Sequence, residues 1–350
     1  MEFGMFMEFQ TRLNTPASAA FTEGLDLVDA AEAWGLDCAW LAEFHFTPTR
    51  SILSSPIAVA AAIAGRTKRL RIGMAVYVLP LNNPLRIAEE VATVDHLSGG
   101  RFELGVGRSG FTGSYRTYGV PYEESQARFE ETLEVLRLAW REGSFSYKGQ
   151  FFDINDADVC PKPLTTPHPP LRVAATTAST FSRVGEQGLP IFVGLRGDGL
   201  GELRQNLGNY RTAWRAAGHE GNGNVFIRVP VFTGQTDALA QEQARETLVY
   251  YFERQSALVA TDAEKHTANS NTKARQATAA ALASLSYSDI LQSRAVVGSP
   301  ESVTERLAEL KKALGLDGVV MELNAGGLLS ADQVRESLRL VTHEVMPAFG

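Results

Sequence analysis

Cysteine is almost missing from this chain of 350 residues: there are two, Cys38 and Cys160. Two are too few for a disulfide framework, and neither sits at metal-ligand spacing. Cys38 falls inside an apolar run and reads as a small core residue. An excess of positive charge is missing as well. Lysine and arginine number 33 against 40 aspartate and glutamate, a net charge of −7, which argues against general affinity for nucleic acid or an anionic membrane. No apolar run approaches the length of a membrane span. The opening MEFGMFMEFQ lacks the basic-then-apolar order of a signal peptide, so a soluble cytoplasmic enzyme is expected. The histidines are scattered without metal spacing, and no metal site is expected. One dense basic run, Arg66, Lys68, Arg69 and Arg71, joins a predicted helix end to a strand start, where it would favour the helix dipole and face water.

What is present is apolar and periodic. At 44% hydrophobic residues, the chain can bury a large core, as two ordinary domains or as one barrel-sized one. Eight β-rich runs start at Glu2, Cys38, Leu70, Arg101, Leu171, Ile191, Val225 and Gly318. Several are too apolar for a half-exposed sheet and suit strands buried on both faces. Helical stripes lie between them, such as Ile87, Val91, Val94, Leu97 and Val303, Leu307, Leu310, Leu314. Thr15-Pro16, Asn83-Pro84 and Ser299-Pro300 each place a capping side chain before a first-turn proline. Eight β-then-α units predict a single (β/α)8 TIM barrel over residues 1–350, with an open doubly wound sheet as the alternative. Two stretches break the rhythm. Residues 143–160 look like an inserted polar hairpin. Residues 259–294, between strands seven and eight, are polar and read as a mobile lid or a solvated excursion.

The fourth strand ends in GVGRSG, a G-x-G-x-x-G match. A dinucleotide site needs the last glycine to open a helix, but FTGSYRTYGVPY follows and is turn-rich, so that reading fails. What remains is a glycine-rich strand end with Arg108 and Ser109 at its tip, where backbone can approach a ligand and a guanidinium can grip a phosphate. After the fifth strand, Thr176, Thr177, Ser179 and Thr180 crowd a strand-to-helix turn suited to a phosphate. Together they suggest one monophosphate site, which on a barrel points to FMN before NAD.

These residues sit in segments that carry a wider resemblance. MEFGMF, GLDCAWLAEFHF, NPLRIAEEVATVDHLSGGRFELGVGRSG, ASTFSRVGEQGLP, VVGSPESV and GLDGVVMELNAGG resemble, in order, the bacterial luciferase-like flavin monooxygenases, most closely the luciferase α-subunit type. The resemblance implies a barrel that binds reduced FMN and reacts it with O2 to oxygenate a small organic substrate through a flavin peroxide. It implies phosphate contacts at Arg108, Thr177 and Thr180, with Thr176 and Ser179 close by. It places a cis peptide under the flavin at Ala75-Val76, and Gly107 where luciferases hold a cysteine, leaving more room. Luciferases carry Glu-His-His where this chain has Glu43, Phe44 and His45. Phe44 can pack against a ring but cannot move a proton, so either His45, beside Glu43, takes the acid–base role or the chemistry needs none from that position, and a His beside an acid at a strand end also reads as a hydrogen-bonded structural group. Phe44 and Phe111 belong to an aromatic mouth for the substrate. The segment 259–294 lacks the tryptophan found near luciferase's lid, so light emission is not expected. A separate flavin reductase and a homodimer are implied. Two rival readings stand: a deazaflavin-dependent hydride-transfer enzyme of the same fold, and a non-catalytic flavin-binding subunit.

Overall fold

Among the residues described in this computed structural model (1–12, 15–195, 199–264 and 271–350), the strands run β1 (Glu2–Met7), β2 (Cys38–Leu41), β3 (Arg71–Met74), β4 (Tyr77–Val78), β5 (Phe102–Gly107), β6 (Phe145–Lys148), β7 (Asp153–Ala157), β8 (Leu171–Ala174), β9 (Ile191–Gly194), β10 (Val225–Thr233), β11 (Val296–Gly298) and β12 (Gly318–Glu322). Around them lie helices α1 (Ala17–Trp34), α2 (Pro56–Arg66), α3 (Pro84–Ser98), α4 (Thr112–Tyr118), α5 (Ser125–Ala139) and α6 (Ala178–Glu186). The second half adds α7 (Leu200–Ala216), α8 (Asp237–Glu264), α9 (Asn271–Ala283), α10 (Tyr287–Ser293), α11 (Pro300–Leu314) and α12 (Ala331–Leu340).

Eight of the strands close on themselves in parallel, in the order β1, β2, β3, β5, β8, β9, β10, β12 and back to β1. This is the (β/α)8 barrel that the eight apolar runs predict; the open sheet is ruled out by the β10–β9 and β12–β1 pairings. Two short strands carry no signal of their own. β4 continues β3 beyond a two-residue break, and β11 pairs with the far end of β10. The inserted hairpin is β6 and β7, antiparallel and outside the barrel sheet.

Local chemistry explains the helix starts. Asn83 and Ser299 cap α3 and α11 through their side chains, each with a proline in the first turn. The third expected cap fails: Pro16 itself is the N-cap of α1, and the Thr15 hydroxyl donates instead to the Arg12 carbonyl at 2.7 Å. The basic run faces water at Arg66, Lys68 and Arg69, as expected, and only Arg71 is half-buried. Arg69 donates to the α1 carbonyl of Glu32 at 3.1 Å, and the Glu32 carboxylate accepts backbone N–H bonds from residues 68, 69 and 70. The stretch 259–294 is corrected from a loop to helix where it is described, in the end of α8, in α9 and in α10. Its central residues 265–270, on which the lid reading partly rests, lie outside the described residues.

The barrel interior is filled by size complementarity. Trp40 points inward from β2, and the strands on either side offer it glycines, Gly4 on β1 and Gly73 on β3. A Cβ on Gly4 would lie 2.5 Å from the Trp40 ring, and one on Gly73 would collide with it. Phe192 and Phe226 meet Trp40 edge-on at 4.8 and 6.1 Å, and the buried Arg172 lies 3.8 Å over the Phe226 ring. Below them Arg71 pairs with Glu103 and Glu2. The N-terminal end of the barrel is thus packed shut, and open chemistry is confined to the carboxyl ends of the strands.

Candidate active site

At that carboxyl end, the inward positions become small. Ala42, Ala75, Val76 and Ala174 pack above the Trp40 layer as its upper surface, and Gly107 stands beside them on β5. The Ala75-Val76 peptide, in the break between β3 and β4, is cis. Gly107 does not leave the extra room expected of it: a Cβ there would meet Val76 Cγ2 at 2.6 Å and Ala174 at 3.6 Å. Val76 already fills that edge, and the surface is a continuous floor of small side chains.

One rim of this floor is polar. β5 and β8 are neighbours in the sheet, so Arg108 and the Thr176–Thr180 turn emerge side by side. Arg108 Nη1 donates to Ser125 Oγ at the start of α5, at 3.1 Å, and the Arg108 carbonyl accepts the hydroxyl of the buried Tyr115. Burial pushes the Tyr115 phenol well above its usual range, so it stays a donor. Ser109 takes the left-handed backbone conformation at φ 59° and turns the chain toward α4. Across the gap, Thr177 is the N-cap of α6, yet its side chain makes no capping bond. Its hydroxyl pairs with Thr180 at 2.8 Å and approaches Ser179 at 3.4 Å. An ion pair of 3.2 Å between Arg183 and Glu130 holds α6 against α5. A helix start left uncapped, beside a guanidinium and three hydroxyls, offers the donors that a dianionic phosphate would need.

Glu43 and His45 are hydrogen-bonded to each other. Glu43 Oε1 lies 2.7 Å from His45 Nε2, and Glu43 Oε2 accepts the Val78 backbone N–H at 2.8 Å. Since a carboxylate only accepts, Nε2 carries the proton. In the neutral ring Nδ1 then accepts from the Tyr118 hydroxyl, 3.2 Å away on α4. Both ring nitrogens are taken. Burial, and then the Glu43 charge, raise the Tyr118 phenol. Phe44 points to the mouth, with its ring 5.6 Å from that of Phe111.

The opposite rim holds charged residues the sequence reading passed over. Glu8, Arg228 and Glu322 project inward from β1, β10 and β12, with Arg50 behind Phe44. Arg50 donates to Glu8 at 2.6 and 3.1 Å, and Arg228 to Glu322 at 2.7 and 2.8 Å. Burial alone would raise the Glu8 carboxyl, but the charges of Arg50 and then Arg228 outweigh it and hold it below the usual range. A signal existed: a charge in the middle of an apolar strand run, as in VFIRVPVF, is costly unless paired. A cavity of about 250 Å³ borders Glu8 and Glu322 on the side of α1 and α12. It lies away from the Arg108 rim, and its lining mixes apolar residues with five carboxylates, Glu8, Glu23, Asp26, Glu322 and Asp332, and with Arg12 and Arg335. Among the described residues no cluster of three His, Cys, Asp or Glu is placed to hold a metal, and no helix is long and apolar enough to cross a membrane.

Comparison with known proteins gives this geometry a context. The family model described as luciferase-like monooxygenase matches residues 1–318. The chain is 31% identical over 193 residues to an alkanal monooxygenase alpha chain of the Kryptophanaron alfredi symbiont, covering 55% of this chain and 54% of that one. Over its whole length it is 23% identical to the oxygenase component of a flavin-dependent trigonelline monooxygenase of Acinetobacter baylyi, covering 96% of that chain. Against the first curated relatives the match is partial, spanning between 50% and 62% of their length. In structure it resembles the oxygenating constituent of 3,6-diketocamphane monooxygenase from Pseudomonas putida, solved with FMN. The TM-score is 0.83 at 21% identity, covering 99% of this chain and 98% of that one.

Proposed function

The chain belongs to the luciferase-like monooxygenase family, and from that premise we propose that it is the oxygenase component of a two-component system, using reduced FMN and O2 to oxygenate a small organic substrate. One observation carries the cofactor reading: a floor of small side chains ends at a rim where Arg108 adjoins the uncapped start of α6. The floor of Ala75, Val76, Gly107 and Ala174 suits a planar ring. Arg108 and Ser109, with Thr176, Thr177, Ser179 and Thr180, suit its phosphate. When bound, reduced FMN supplies the electrons that activate O2. The protein's part is to anchor, orient and exclude water.

Phe44 presents no titratable group to the mouth, so the chain offers no proton there. Glu43 and His45, bonded to each other, to Val78 and to Tyr118, act in this reading as a brace that fixes the β4 backbone beside the floor. Reduced flavin would arrive from a separate reductase, and the assembly would be a homodimer.

Anaerobic titration with reduced FMN, then rapid mixing with oxygenated buffer, tests the proposal. Tight binding, with reoxidation slower than that of free flavin, is the expected result. Preference for a reduced deazaflavin would point to hydride transfer without O2. Binding of neither would leave a non-catalytic subunit.

A further inference from the structure

Opposite the Arg108 rim, the mouth holds more positive than negative charge. Arg50 and Arg228 bond Glu8, Arg228 also bonds Glu322, and Arg254 from α8 lies close enough to lower the Glu8 carboxyl further. Three guanidinium groups therefore share two carboxylates. The carboxylates are well supplied with donors: Glu8 also accepts from Gln10 at 2.7 Å, and Glu322 from Tyr251 at 3.3 Å.

The donors are not all used. Arg50 Nη1 and Arg254 Nε and Nη2 are buried without an acceptor among the described residues. Every orphan in this cluster is a donor. A buried polar group without a partner is costly, and more so when charged, so the cluster is short of acceptors, specifically of negative ones. Nor are these loose side chains free to swing out to water. Arg50 is 1% exposed and lies 4.3 Å over the Phe44 ring and 5.5 Å from that of Phe111. Arg254 Nη1 is tied at 2.8 Å to the carbonyl of Thr49, the residue before Arg50.

We propose that the substrate of this chain carries a carboxylate, received by Arg50 and Arg254, with its apolar body against Phe44 and Phe111. The proposal rests on the oxygenase reading of the mouth and adds a substrate class to it. A carboxylate is planar, brings two acceptor oxygens, and matches the fork of a guanidinium. It also supplies the negative charge that balances the third arginine. A neutral alcohol or amide brings fewer acceptors and leaves buried cation unpaired, which is how a polar site rejects the wrong ligand. Phe44 then has a role that a histidine could not fill as well: an aromatic face against which both the Arg50 cation and an apolar substrate body can lie.

The test uses acid and amide pairs of equal shape. Acetate, acetamide, benzoate and benzamide are titrated into the full chain with and without reduced FMN, with thermal unfolding and calorimetry as readouts. The acids should raise Tm and bind at least tenfold more tightly than their amides. Arg254→Gln, which leaves the Arg50–Glu8 pair in place, should erase that preference. Equal response to acid and amide, no response to either acid, or an acid preference intact in Arg254→Gln overturns the proposal. The titrations without flavin keep it separable: failure of reduced FMN to bind the wild-type chain counts against the oxygenase reading and leaves the carboxylate result to stand by itself.

Discussion

At the scale of single residues, the strongest expectations concern Arg108 and the barrel glycines. A guanidinium hydrogen-bonded to a phosphate contributes about 1.5–3 kcal/mol. Arg108→Ala should therefore weaken reduced-FMN binding roughly 10- to 100-fold, read by anaerobic fluorescence titration; unchanged affinity would remove Arg108 from the phosphate site. Two glycines on one strand separate space from function. A Cβ on Gly105 would run into the backbone carbonyl of Met74, which cannot rotate aside, whereas one on Gly107 meets only the end of the Val76 side chain at 2.6 Å. Gly105→Ala should thus cost more stability than Gly107→Ala, by at least about 1 kcal/mol on the scale of overpacked cores, measured by urea unfolding. The residues sequence reading missed are of one kind. Arg50, Arg228 and Arg254 lie far apart along the chain and meet only through the fold, and no motif spacing joins them. Glu43 and His45 were legible as a pair because a single residue, Phe44, separates them.

At the scale of elements, strand runs were legible because burial on both faces leaves unbroken apolar stretches. Elements too short to show a pattern were not. β11 has three residues and exists through its pairing to β10. Polar composition misled in the stretch 259–294, where α9 is rich in alanine, threonine and charge, with a weak apolar stripe but good helix formers. Two of the three expected caps form, at Asn83 and Ser299, while the capping boxes at Ser286 and Ser330, which have no first-turn proline to mark them, were not read. α12 shows the box in full: Ser330 Oγ accepts the Gln333 N–H at 3.2 Å while the Gln333 side chain accepts the Ser330 N–H at 2.9 Å. Ser330→Ala should lower stability by about 1 kcal/mol, and a loss near zero in denaturant melts would show that packing of Val334 and Leu338 alone holds the helix.

At the scale of the whole molecule, the barrel was legible in the count and order of its units, and its closure was not, since periodicity carries no information on which strands meet. Its charged mouth also sets a pH dependence. Glu8 has its carboxyl held below the usual 4.5 by Arg50 and Arg228 despite burial. A lowered folded-state pKa gives stability that is fully present above the unfolded value and is lost as pH falls through the folded one. Glu8→Gln should therefore be less stable than the parent at pH 7, with the gap narrowing as pH drops below about 4.5. A gap that stays constant down to pH 3 would mean that Glu8 contributes through shape and not through charge.

Trp40, seated between Gly4 and Gly73 with Phe192, Phe226 and Arg172 around it, makes the barrel a cul-de-sac. In the proposed reading flavin, substrate and product would share one doorway, and what lies deepest would arrive first and depart last. On the proposed reading, a flavin ring resting on Ala75 and Ala174 would have to be in place before a substrate settled over it, and the product would have to leave ahead of the spent flavin. A substrate present in excess, seated early, blocks the entrance, so turnover should pass through a maximum and then fall as substrate concentration rises.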